Sequence, residues 1–131
     1  MSARAAAPIT TLMRGLIAFA GLLCLAVLVA PAWSSASITP TAVGVSEREW
    51  MVALGRLKAP HGPITFSVHN FGQDDHNLVI RRLGLQYGST GRIPSGGQKT
   101  LTLTLKPGLY NVFCSLPGHR QMGMAAKLTV T

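Results

Sequence analysis

Apolar and polar residues alternate with a period of two along most of the chain after Thr41. In PITFSVHN, Ile64, Phe66 and Val68 share one face, while Thr65, Ser67 and His69 share the other. KTLTLTLKPG sets Leu101, Leu103 and Leu105 against threonines, and MAAKLTVT ends the chain with Ala126, Leu128 and Val130 on one side. Side chains of a strand point alternately to its two faces, so this pattern predicts half-buried strands. The alternation breaks at APHGP, NFGQDD, PSGG and KPG, where proline, glycine and aspartate supply turn geometry. Residues 45–58 (VSEREWMVALGRLK) fit two patterns, because Val52, Leu54 and Leu57 would also line a short helix; the reading is mainly strand. Seven or eight short strands in roughly 95 residues predict an all-β, antiparallel sandwich with one face of each sheet buried. That core is small, yet sufficient without a disulfide. The sequence shows no repeat, low-complexity tract or internal linker.

The first 36 residues follow other rules. Arg4 and Arg14 precede the uncharged run GLIAFAGLLCLAVLVA (15–30), and small residues follow in PAWSSAS. This is the order of a secretory signal peptide, with cleavage after Ala32 or Ala36. The alternative is an uncleaved membrane anchor over 15–30, but its 16 residues reach only about 24 Å as a helix, short of the ~30 Å hydrocarbon core. Leu23 before Cys24 makes a poor lipoprotein signal, and no Arg-Arg pair points to the twin-arginine route. The expectation is a signal peptide over 1–36 and one domain over 37–131, with 33–40 a loose leader. The location would be extracytoplasmic, in a bacterial periplasm or secreted.

Cleavage changes the cysteine arithmetic, because Cys24 leaves with the signal and Cys114 remains alone. Exported proteins normally pair their cysteines, so an odd one needs a reason. Burial or an intermolecular disulfide is the plain explanation, and a metal thiolate is the sharper one. Charge changes the picture less. The chain has 12 Lys and Arg against four Asp and Glu, net +8; without Arg4 and Arg14 the count is ten against four, net +6. The basic residues are scattered and no aromatics interleave with them, which argues against nucleic acid. A basic surface favours an acidic partner or anionic lipid.

The neighbours of Cys114 decide its role. NVFCSLPGHRQMGM (111–124) spaces Cys114, His119 and Met124 as C-x4-H-x4-M. Thiolate, imidazole and thioether together favour copper in both oxidation states, whereas zinc would prefer more Cys, His or carboxylate. Two histidines, a cysteine and a weak axial methionine describe an electron-transfer copper site, so one further histidine is required. His61 lies in a proline-glycine turn and His69 on a polar strand face. His76 begins HNLVIRR just after the turn FGQDD, where a strand meets a loop, and is the favoured third ligand. Met122 and Met124 share strand parity, so periodicity does not choose between them as axial ligand.

GLYNVFCSLPGHRQMGMAAKLTV resembles the ligand hairpin of the cupredoxins, the family of plastocyanin and rusticyanin, through Gly108, Tyr110, Phe113 and Cys114 and the four-residue gap to His119. DHNLVI resembles their first-histidine motif, and the likeness extends over about 41–131. The resemblance implies a Greek-key β-sandwich holding one copper ion, Cu(I)/Cu(II), on His76, Cys114, His119 and Met124, with Met122 as the alternative axial ligand. It implies that Asn77 ties the two ligand loops together. Phe113 stands where plastocyanin-like proteins often have tyrosine, so no phenol acts there. It also implies an apolar electron port around His119, for which Leu116, Pro117, Gly118, Phe71 and Gly72 are the candidates.

The expected function is a one-electron carrier, not an enzyme, serving a protein redox donor and acceptor, the partner being acidic if the net charge steers it. Neither nucleic acid nor an organic substrate is expected, and membrane contact only if residues 15–30 remain attached. The alternative is a copper-binding protein for delivery or storage, for which a solvated thiolate would speak. A Cys/His hydrolase would need a general base and an oxyanion hole beside Cys114, and Met124 has no place in that scheme.

Overall fold

Nine strands carry the chain from Thr41 to Val130 in a computed structural model that describes residues 38–131. The signal or anchor over 1–36 lies outside the described residues. In order the strands are β1 (Thr41–Arg48), β2 (Met51–Leu54), β3 (Lys58–Ala59), β4 (Gly62–Asn70), β5 (Val79–Arg82), β6 (Leu85–Ser89), β7 (Gln98–Leu105), β8 (Gly108–Phe113) and β9 (Ala125–Val130). They form a four-stranded sheet, β2-β1-β4-β7, and a five-stranded sheet, β3-β9-β8-β5-β6. The ambiguous stretch 45–58 is strand, broken into the end of β1, β2 and β3, which brings the count to nine.

The alternation does its work where a strand has neighbours on both sides. Ile64, Phe66 and Val68 of β4 are buried, together with Val43 and Val45 of β1. Register aligns them, with Val43 opposite Phe66 and Val45 opposite Val68. Tyr110 and Val112 of β8 and Leu128 and Val130 of β9 close the core from the other sheet. Leu101 and Leu103 are only half-buried, because β7 is an edge strand. All of these side chains belong to strands between Thr41 and Val130.

Two pairings depart from an antiparallel ladder. β1 lies parallel to β4, and β3 parallel to β9. The cause is a change of sheet: after β2 the chain crosses to pair Ala59 with Val130, then returns to start β4 at the same end as β1. A parallel neighbour requires such a crossover. With these directions, the loops after β1, β4, β6 and β8 gather at one end of the sandwich. The loops after β2, β3, β5 and β7 gather at the other.

Candidate metal centre

The first end collects the soft ligands. Cys114 follows β8 directly and is a free, buried cysteine. Its N–H donates to the Met124 carbonyl at 3.1 Å, and the Met124 N–H donates to the His119 carbonyl at 3.1 Å. The 114–124 loop is therefore laced across its own base. Gly123, at φ 121°, leaves room for the Trp50 carbonyl, which a Cβ there would meet at 2.8 Å. His76 arrives from the other side, exchanging main-chain hydrogen bonds with Ile93 at 3.0 and 2.7 Å just before β5. Its side chain has no solvent exposure.

The donor atoms of His76, Cys114 and His119 all lie within 4.8 Å of one another. The two Nδ1 atoms are 3.2 Å apart, and Cys114 Sγ is 3.6 Å from His119 Nδ1. Burial separates the two methionines that periodicity left equal: Met124 is fully buried, and Met122 is 47% exposed beside Gly118. Asn77 spans the ligand loops. Its Oδ1 accepts the Ser115 N–H at 2.7 Å, and its Nδ2 donates to Ser115 Oγ at 2.9 Å. Phe113 is buried, with the Arg120 guanidinium 4.2 Å above its ring.

Burial pushes the Cys114 thiol above its ordinary range, while main-chain N–H groups of Leu116 and Asn77 pull it down and the Glu47 charge raises it further. A cation that replaces the thiol proton escapes that cost, because it supplies the compensating charge itself. The donor set of two nitrogens and a sulfur, with a buried thioether on the adjoining backbone, fits a single copper ion.

Two residues of the turn after β1 also reach the centre, and the alternation gave no sign of either. Glu49 Oε1 accepts the N–H groups of Gln73 and Asp74, each at 2.8 Å, and lies 3.2 Å from His76 Nε2. The Asp74 N–H first, and then its own N–H, hold the Glu49 carboxyl down at about 2. Donation from Nε2–H to this carboxylate leaves the His76 Nδ1 lone pair facing His119. Trp50 places its ring edge-on to His119, centroids 5.1 Å apart. EREW falls inside the stretch 45–58 read mainly as strand, and nothing in the sequence pairs Glu49 with a loop 24 residues away.

Of the port candidates, Leu116 and Pro117 line a cavity together with His119, Asp74, Asp75 and Arg92. Gly118 is exposed beside them. Gly72 is buried against the Glu49 carboxylate, where a Cβ would collide with it. Phe71 stacks on His69 at 3.9 Å and sits under the Arg48 guanidinium. His61 bonds the Thr131 carbonyl through Nδ1 at 3.0 Å, at the opposite end.

A β-sandwich with two histidines and a cysteine converging at one end defines a copper protein of the cupredoxin type. Residues 47–131 match the sequence model of the copper binding proteins of the plastocyanin/azurin family, and the chain belongs to that family. No curated protein sequence matches the chain. Among solved structures, dithionite-reduced auracyanin from Roseiflexus castenholzii is similar, with a TM-score of 0.59 at 22% identity over 71% of this chain and 98% of that one. Auracyanin A, described as a "blue" copper protein from Chloroflexus aurantiacus, superposes with a TM-score of 0.58 at 13% identity over 71% of this chain and 100% of that one. Auracyanin B gives 0.58 at 20% identity, covering 71% and 91%. These likenesses establish the shared fold.

Proposed function

We propose that the protein is an exported one-electron carrier whose type 1 copper ion would be held by His76, Cys114, His119 and Met124. The observation that supports it most is the convergence of two imidazoles and a buried cysteine on a scaffold packed around them. Bound copper supplies a one-electron couple there. The chain's part is to keep its donors still. His76 is fixed by the Ile93 bridge and by Glu49, and Cys114 by the Asn77–Ser115 bonds and the Met124 carbonyl. A site that moves little on gaining or losing an electron reorganises little, and transfer is correspondingly fast. Delivery or storage would favour an accessible thiolate, and the burial of Cys114 runs against it.

Electrons would pass at the His119 edge, between Leu116, Pro117 and Trp50. Redox partners, a protein donor and acceptor, would dock there. Arg48 and Arg120 on the same end would draw an acidic one and Asp74 and Asp75 beside His119 would oppose it, both effects being screened by salt. The test is the visible spectrum of the oxidised, copper-loaded protein. An intense thiolate-to-copper band, lost in Cys114→Ser, is the expected result. A band that survives the substitution would refute the ligand assignment.

A further inference from the structure

The end of the sandwich opposite the metal centre is unused by the proposed function, yet its sequence is unusual. β5 runs away from His76 and turns into β6 through Leu83 and Gly84, with Arg82 paired to Leu85 across the turn. Leu83 has φ 48° and Gly84 φ 79°. A two-residue hairpin with both φ positive favours Asn-Gly, and a leucine stands there against the preference set by its Cβ. No burial compensates for this. Leu83 is 87% exposed and Leu85 67%. Packing within the domain gives no reason for two bare leucines at a strained tip.

Charge identifies what would cover them. All four acidic residues of the chain, Glu47, Glu49, Asp74 and Asp75, lie in two segments at the metal end, joined through the Glu49–Asp74 hydrogen bond. The opposite end has no Asp or Glu. It carries Arg56 and Lys58 on either side of exposed Leu57, and Lys106 in the turn that leads to exposed Leu109. Leucines set among cations, with no acidic side chain, complement a surface that is anionic outside and apolar just beneath. The path of the chain agrees. β1 starts at this end, so an apolar run 15–30 left uncleaved would reach the domain there.

We infer that this end docks on an anionic lipid bilayer, with Leu83 and Leu85 entering the headgroup region and the metal centre facing water on the opposite side. Docking in this orientation leaves His119 open to a partner while restricting the carrier to a membrane surface.

All nine described strands and the core side chains between them lie within residues 38–131, so copper-loaded 38–131 can be sedimented with phosphatidylcholine vesicles with and without phosphatidylglycerol. Binding should require phosphatidylglycerol and weaken with salt. Leu83→Asn with Leu85→Thr, which suits the turn and the strand better, should keep the copper spectrum and lower the partition coefficient about tenfold or more. In the full chain, the indole of Leu83→Trp should be quenched by brominated phosphatidylglycerol, beyond any quenching seen in the unsubstituted chain. Failure of 38–131 to bind, or equal binding by the double variant, would overturn the inference. Self-association abolished by the double variant, without vesicle binding, would overturn it in favour of a second copy as the occupant.

Discussion

Replacing Glu47 by glutamine should change how stability depends on pH. Glu47 follows Val43 and Val45 on the inner face of β1, is fully buried, and has no hydrogen-bond partner for either carboxyl oxygen. Asn70, its register partner on β4, is engaged elsewhere, with the carbonyls of Asp74 and Ile93 and the Gly72 N–H. Burial raises the Glu47 carboxyl from 4.5 to about 7. The unfolded chain therefore releases this proton near 4.5, while the native state holds it until about 7. Across that window the native state binds more protons, so its stability falls as pH rises and then levels off. At about 1.4 kcal/mol per pH unit, the loss over the window is roughly 3 kcal/mol. For a domain of this size that corresponds to more than about 10 °C in Tm. The assay is urea unfolding of the metal-free protein at steps from about pH 4 to about pH 8, wild type against Glu47→Gln. Taking the difference cancels the groups common to both proteins. The variant should lack the fall and gain relative stability toward high pH. Parallel profiles, or a variant that is weaker by the same amount at every pH, would show that Glu47 has a partner and that the reasoning is wrong.

Three further outcomes follow from the site. Met124→Leu should keep the visible band but raise the reduction potential, since a weak donor to the oxidised ion is lost, while Met122→Leu, on the surface, should do far less; voltammetry that ranks them the other way would reassign the axial ligand. Glu49→Gln should also raise the potential, because it removes the negative charge beside His76, and wild-type stability from Glu49, present above pH 4.5, should vanish only as pH falls through about 2. Equal potentials would leave Glu49 a purely structural role. Leu116→Lys should slow electron self-exchange with little change in the spectrum, and unchanged rates at low and moderate salt would place the port away from Leu116.

The sequence alone determined the class of fold and the chemistry of the site. Alternation in 62–70, 98–105 and 125–130 reports burial one residue at a time, and strands obey it because side chains leave the backbone on alternate faces. The spacing of Cys114, His119 and Met124 was legible because all three lie in a single loop, where sequence distance bounds spatial distance. Tertiary structure decided what depends on residues distant along the chain. The crossing of the chain between β2 and β3, which makes two pairings parallel, leaves no local trace, since parallel and antiparallel neighbours bury the same face. Met122 and Met124 have one parity and differ only in what the fold lays over them. Glu49 and Trp50 reach His76 and His119 only because β1 ends beside the loops of the other sheet. Glu47 shares its strand face with valines, and its lack of a partner appears only when every neighbour is in place. A side chain's chemistry is written in the sequence, whereas its neighbours are set by how the two sheets pack.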